Sequence, residues 1–130
     1  MVNFDLAILG GGPGGYVAAI RGAKLGLKTC IIEKDKLGGI CLNWGCIPTK
    51  ALLKNAEVYY TIKNADKYGI KVDKISVDFP ANIKRSRDVS NRLSKGIQFL
   101  MKKNKITHIH GMGKLTSKTT IEMTSGKKKE

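Results

Sequence analysis

Acidic residues are scarce in this chain. Ten Asp and Glu stand against 24 Lys and Arg, which leaves a formal net charge of +14 over 130 residues. A balance of that sign would suit an anionic partner such as nucleic acid. Aromatic residues are also few, at 6%, and they are not interleaved with the basic clusters at Lys102, Lys103, Lys105 and Lys127 to Lys129. Stacking platforms for single strands need that interleaving, so no nucleic-acid partner is expected. The excess of positive charge is better explained by an incomplete protein whose remaining part carries the compensating acids. No apolar run approaches the length of a membrane span, and no membrane partner is expected. The opening MVNFDLAILGGG has neither the basic segment of a secretory signal nor the Arg-rich pattern of a transit peptide. A cytoplasmic chain, or an organelle-matrix chain after processing, is the expectation. Three cysteines are an odd number, which argues against a secreted disulfide scaffold. Repeats, linkers and low-complexity stretches are absent apart from the lysine tail.

What the chain does have is glycine, 15 residues concentrated near the start, in a length and apolar content ordinary for one globular domain. Phe4 to Leu9 reads as a short buried strand. From Gly14 the pattern turns helical, with Tyr16, Ala19, Ile20, Ala23 and Leu27 at three- and four-residue spacing and Gly26 as a stop. Lys28 to Glu33 is a second strand, and Cys30 within it is a small core residue. Strand, helix and strand in about 30 residues make a right-handed βαβ unit of a parallel sheet.

A second helical pattern follows, with Ile47, Leu52, Leu53, Ala56, Tyr59, Tyr60 and Ile62 on its apolar side and Pro48 one turn in, where it is expected to bend the helix. Residues 65 to 80 read as loop and extended chain. Lys84 to Lys103 is a long helix with Val89, Leu93, Ile97, Leu100 and Met101 on one face. Short strands come next: Ile106 to His110, a Gly-Met-Gly turn, Lys114 to Thr116 and Thr119 to Met123, with Ser125-Gly126 as a hairpin turn. The expected fold is α/β: a Rossmann-like domain with a parallel sheet and a small antiparallel meander near the C-terminal end, incomplete in this chain.

GGGPGG contains G-x-G-x-x-G as Gly10, Gly12 and Gly15. It follows a strand, opens a helix and precedes a strand that ends in Glu33, which is the context of a dinucleotide-binding loop. Gly10 permits the tight turn, Gly12 the approach of a pyrophosphate and Gly15 close packing of helix on strand. The helix N-terminus offers free N–H groups and the positive end of its dipole. Glu33 stands where a carboxylate accepts hydrogen bonds from a ribose hydroxyl and repels a 2′-phosphate. The pattern does not distinguish NAD from FAD.

Cys41 and Cys46 lie directly behind this loop. A zinc site with His108 and His110 would need cysteine spacing at the edge of the usual range and an H-x-H tighter than zinc fingers use. A structural disulfide would close a loop of a few residues and constrain the unfolded chain little. A redox pair fits better: both sulfurs fall at the start of a helical pattern, where the dipole favours thiolate. A thiol pair beside a bound dinucleotide points to a flavin, which can pass electron pairs between a dithiol and a nicotinamide.

The segment EKDKLGGICLNWGCIPTKALL resembles the flavin-disulfide segment of the pyridine nucleotide–disulfide oxidoreductases. Within that family it is most similar to the members that oxidise dihydrolipoamide, where C-L-N-x-G-C-I-P-[ST]-K-A-L-L is the usual form. Glutathione and mercuric reductases tend to carry Val where this chain has Leu42 and Ile47. Ile40 stands where Thr is commonest, Trp44 where Val is and Thr49 where Ser is. The resemblance continues to Gly111–Gly113 and the KLTSKTTIEM that follows.

The resemblance implies bound FAD. Gly10, Gly12, Gly14 and Gly15 would hold its pyrophosphate, and Glu33, with Lys34 beside it, the adenosine ribose. Gly38, Gly39 and Cys41 would lie against the cofactor, Lys50 beside the flavin's reactive nitrogen and Gly113 at the adenine end. Cys41 resembles the interchange thiol and Cys46 the thiol nearer the flavin. NAD is implied as co-substrate, at a site outside this chain. The implied partners are the dihydrolipoyl group of a 2-oxo acid dehydrogenase complex or glycine cleavage system, and a second subunit in a homodimer. The family's catalytic His–Glu pair matches neither His108 nor His110. Residues 1–130 are therefore expected to be the N-terminal part of an FAD-binding domain, inactive alone, without the NAD and dimerisation domains.

Overall fold

In the computed structural model, which describes residues 2–124, β1 (Leu6–Leu9) and β2 (Thr29–Glu33) pair in parallel from Leu6↔Thr29 to Leu9↔Ile32. Helix α1 (Pro13–Lys24) connects them. β3 (Thr107–His110) joins the other side of β2, also parallel, from Cys30↔Thr107 to Glu33↔His110. The strand order is β1-β2-β3. β4 (Met112–Ser117) and β5 (Thr120–Thr124) form a separate antiparallel pair. The fold is thus the α/β arrangement read from the sequence.

β2 is central, and Thr29, Cys30, Ile31 and Ile32 are all buried, as a strand covered on both faces requires. β1 is shorter and less covered than the buried strand expected over Phe4 to Leu9: it starts at Leu6, and Leu9 is 47% exposed. It is one of the two outer strands. Its entry is fastened outside the regular ladder, with Asp5 and Leu6 N–H both donating to the Lys28 carbonyl and Lys28 N–H donating to Asp5 Oδ2 at 2.7 Å.

Helix α1 ends as Gly26 suggested. Gly26 has φ +86, its N–H donates to Ala23 O, and Leu27 N–H reaches back to Gly22 O, the paired bonds of a Schellman stop. Tyr16, Ala19, Ile20 and Ala23 join the core; Leu27, past the stop, does not.

The cysteine segment folds into two helices where one was expected: α2 (Gly39–Asn43) and α3 (Cys46–Lys63), broken at Trp44-Gly45. Pro48 is the third residue of α3. Its missing N–H is among the first four that have no intrahelical acceptor, so it costs the helix no hydrogen bond. The expected apolar side of α3 is mostly uncovered; only Pro48 and Ala51 are buried, and Leu53 and Tyr60 are exposed. A 3-10 helix (Ala65–Tyr68) precedes a stretch without regular structure.

α4 (Phe79–Lys103) begins ahead of the expected Lys84 because Asp78 caps it, its Oδ1 accepting from Ala81 N–H at 2.9 Å, with Pro80 in the first turn. Ile97 and Met101 are buried as expected, but Leu93 is exposed and the row Ser86, Ser90, Ser94 is buried in its place. That half of α4 packs on α2 and α3 and meets polar backbone: Ser94 Oγ donates to Leu37 O at 3.0 Å. The core joins Ala19 of α1, Ile31 of β2, Leu37 of the turn before α2, Ile97 and Met101 of α4 and Ile106 just ahead of β3.

The Gly-Met-Gly turn is tighter than expected, since Gly111 alone separates β3 from β4. The Ser125-Gly126 turn lies outside the described residues. Among the described residues no helix is long and apolar enough to cross a membrane.

Candidate functional site

β1 delivers the chain into the glycine loop. Gly10 N–H extends the ladder to Ile32 O at 2.8 Å, and Gly10 then takes φ +103, a region that L side chains rarely adopt. A Cβ on Gly15 would collide with the Gly10 carbonyl oxygen, so the first turn of α1 lies on the loop backbone. Gly12 is the N-cap of α1, no acidic side chain occupies the first turn, and Gly14 is open to solvent. A twelve-residue helix thus presents its N-terminal N–H groups and positive dipole end beside the C-terminal ends of β1 and β2.

Glu33 closes the loop from the side. Its Oε2 accepts from Gly11 N–H at 2.7 Å and its Oε1 from Asp35 N–H at 2.9 Å. Each oxygen keeps a second acceptor position. Lys34 follows it, exposed. Gly38 N–H donates to Gly11 O at 2.8 Å, and a Cβ on Gly39 would lie 2.7 Å from Gly12 Cα. The start of the cysteine segment therefore rests on the glycine loop, backbone against backbone.

Cys41 and Cys46 form a disulfide with Cα atoms 4.7 Å apart. The expectation that both sulfurs sit at one helix start is corrected: Cys46 is the first residue of α3, whereas Cys41 is the third of α2, because Gly39 already opens a helix of its own. Cys41 is half-buried and Cys46 exposed. Asn43 is buried, its Nδ2 donating to Leu37 O and Gly39 O at 3.2 and 3.0 Å, which fixes the curl of α2. Lys50 is exposed one turn after Cys46 on α3.

Gly113 marks the far boundary. A Cβ there would lie 2.9 Å from Leu9 Cδ1 and 3.4 Å from Ile32 Cγ2, so β4 crosses closely over the ends of β1 and β2. His108 and His110 alternate on β3, and His110 pairs with Glu33 in the sheet register. Burial pushes the His108 imidazole below its ordinary value, His110 adds to that, and Glu33 opposes it. Cys30 is buried in β2, and burial raises its thiol above the ordinary value while a backbone hydrogen bond with Ile8 works the other way. Among the described residues no three His, Cys, Asp or Glu side chains converge as a metal site would need.

Gly10, Gly12, Gly15, Glu33, Gly38 and Gly39 are thus joined by direct contacts around the glycine loop, Gly113 approaches the ends of β1 and β2 beside it, and Cys41 and Lys50 follow further along on α2 and α3. Sequence reasoning missed the Gly11 N–H on Glu33, the Asn43 clamp, and two contacts from α4: Ser94 on Leu37 and Arg87 on Asn43. The last two join residues 57 and 44 positions apart, and no local pattern announces them.

The sequence model of the family described as pyridine nucleotide-disulphide oxidoreductase matches residues 4–130, and this chain belongs to that family. The dihydrolipoyl dehydrogenase of Zymomonas mobilis is 53% identical over 129 residues, 98% of this chain and 28% of that protein. Proteins of the same name from Rhizobium etli and Bacillus subtilis are 55% and 52% identical over 115 and 113 residues. The chain spans only 24% of each of those two.

Proposed function

We propose that this chain is the FAD-binding and redox-disulfide part of a flavoprotein that oxidises dihydrolipoamide with NAD⁺ as acceptor. The observation that carries the reading is the Gly12–Gly39 contact, which seats a disulfide helix on a dinucleotide loop. The residues present suit the cofactor. Gly10, Gly12, Gly14 and Gly15 would offer backbone N–H groups and the α1 N-terminus to the pyrophosphate, and the spare acceptor positions of Glu33 would take the ribose hydroxyls, with Lys34 beside them. Gly38, Gly39 and Cys41 would flank the cofactor, Lys50 its ring and Gly113 its adenine end. When bound, the flavin would supply two-electron transfer between the dithiol and nicotinamide.

The chain's own chemistry is disulfide exchange. A dihydrolipoyl thiolate attacks Cys41 Sγ, the Cys41–Cys46 bond breaks, and Cys46 leaves as thiolate. The second dihydrolipoyl thiol then displaces Cys41, giving lipoamide and the reduced pair. Two electrons and two protons move from substrate to protein. Supplying the dihydrolipoyl group would be a 2-oxo acid dehydrogenase complex or the glycine cleavage system, in the cytoplasm. The NAD site and the homodimer contacts would lie outside this chain, which spans 28% of the Zymomonas mobilis relative and 26% of those from Chlorobaculum parvum and Chlorobaculum tepidum.

Absorption spectra before and after adding FAD and desalting test the reading. A retained flavin band on the chain supports it. No band from either the chain or the complete protein overturns it. Steady-state assays of the complete protein with lipoamide against glutathione then fix the substrate, and the 130-residue chain alone should not reduce NAD⁺.

A further inference from the structure

Trp44 occupies the break between α2 and α3, between the two bonded cysteines, and is 57% exposed. An exposed indole on so short a connection would swing freely without partners. Lys36 Nζ lies 5.4 Å from its ring centroid and Arg87 Cζ 5.9 Å, both within cation–π reach. Arg87 makes a second contact: its Nη1 donates to the carbonyl of Asn43, the last residue of α2, at 3.1 Å. That carbonyl is one of those a helix end leaves without an internal donor. Two positions earlier on α4, Arg85 Nη1 donates to Ala51 O and Asn55 Oδ1 of α3 at 3.0 and 3.1 Å. One helix therefore holds α2 with one guanidinium and α3 with another, on opposite sides of the break that the disulfide crosses.

While the Cys41–Cys46 bond exists, the loop is closed covalently and these contacts add little to the distance between the sulfurs. Once it is reduced, α2 is a five-residue helix, far too short to persist by its own hydrogen bonds. The Asn43 amide and the Gly12 contact hold the start of α2, and the frame from α4 is then what ties its end, beside the break, to α3. We infer that Arg87 is a positioning residue for the redox pair: by bonding the Asn43 carbonyl and lying over Trp44, it holds the reduced dithiol in the geometry from which the disulfide re-forms. The inference rests on the redox reading of Cys41 and Cys46. Reduction converts one S–S bond to two S–H groups with two electrons and two protons from a dithiol reductant; re-oxidation returns them. A held pair has a higher effective concentration of one thiol at the other, which favours the disulfide. Losing the frame makes the disulfide easier to reduce. Losing a nearby cation has the opposite sign, because a thiolate would be less stabilised.

The test equilibrates the 130-residue chain in graded ratios of reduced to oxidised dithiothreitol, quenches in acid, alkylates and counts free thiols by mass. Arg87→Ala should shift the reduction equilibrium about tenfold toward the dithiol, near 30 mV for a two-electron couple. Arg87→Lys keeps a cation without the planar fork and should recover only part of that shift. Arg92→Ala, an exposed α4 arginine with no hydrogen bond to α2 or α3 among the described residues, should leave the midpoint unmoved. Unchanged midpoints in both Arg87 variants, a shift toward the disulfide, or full recovery in Arg87→Lys would each overturn the inference. A wild-type pair that does not titrate as one couple would instead overturn the redox reading beneath it. Should Arg87→Ala lose its helical circular dichroism, the Arg87→Lys midpoint decides.

Discussion

Gly12 and Gly39 meet backbone to backbone, with a Cβ on Gly39 placed 2.7 Å from Gly12 Cα. A Cβ on Gly12 would lie an ordinary 4.0 Å from Gly39 Cα, so the steric demand of the contact falls on Gly39. Gly39 also has φ +61.

Gly39→Ala should therefore destabilise the chain by about 1–3 kcal/mol and lower any flavin retention. Gly96→Ala is the counterpart. Gly96 lies inside α4, exposed, with nothing within 4 Å of an added Cβ. That change should stabilise by about 0.5–1 kcal/mol, because Ala is the better helix former. Urea midpoints of the two variants, measured side by side, check both signs.

Glu33→Gln keeps the shape of the side chain but replaces one carboxylate oxygen by an amide donor. Either the Gly11 N–H or the Asp35 N–H then faces a donor. A loss of about 1–3 kcal/mol in stability is expected. The dinucleotide affinity of the complete protein should fall with it, read by flavin fluorescence on dilution.

Cysteine reactivity should divide two to one. After reduction at pH 8, Cys41 and Cys46 should alkylate quickly and Cys30 slowly, since Cys30 is buried with its thiol held above the ordinary value. Its neutral form is favoured in the folded chain, so its contribution is complete below the unfolded pKa and is lost as pH rises through the folded one. Timed alkylation followed by peptide mass mapping gives the order.

His108 supplies an acid-side dependence. Its folded value lies below the ordinary 6.5, with burial the first cause. The neutral ring is thus favoured on folding, and that contribution is present above the unfolded pKa and lost as pH falls from there through the folded one. His108 is exposed on β3, so solvent screening keeps this contribution small and His108→Gln should flatten the acid limb only slightly. Urea midpoints between pH 7.5 and pH 5, compared with the wild type, measure it.

The βαβ start was legible because its determinants are local. Gly10, Gly15, Gly26 and the β-branched run before Glu33 each act within a few residues, and the strands paired as read. The two-helix form of the cysteine segment was not, since it depends on Gly38 and Gly39 at positive φ and on Asn43 bonding back to Leu37 and Gly39. The buried face of α4 was misread for a related reason. Small side chains let α4 lie on α2 and α3 along Ser86, Ser90 and Ser94 and leave Leu93 outside, with Ser86 bonding back to Ile83 O of its own helix and Ser94 to Leu37 O of the turn before α2, and hydrophobic periodicity reports only the opposite case. At the site, residue types were readable but the holders of the disulfide were not, because they come from a helix far along the chain.

That distance has a consequence for synthesis. The ribosome releases Cys41 and Cys46 well before it releases Arg87, 44 residues beyond Asn43, and Ser94, 57 beyond Leu37. The two thiols are thus born as an unsupervised pair on an emerging chain, able to react with any oxidant or with other thiols, until α4 has followed them out and folded back.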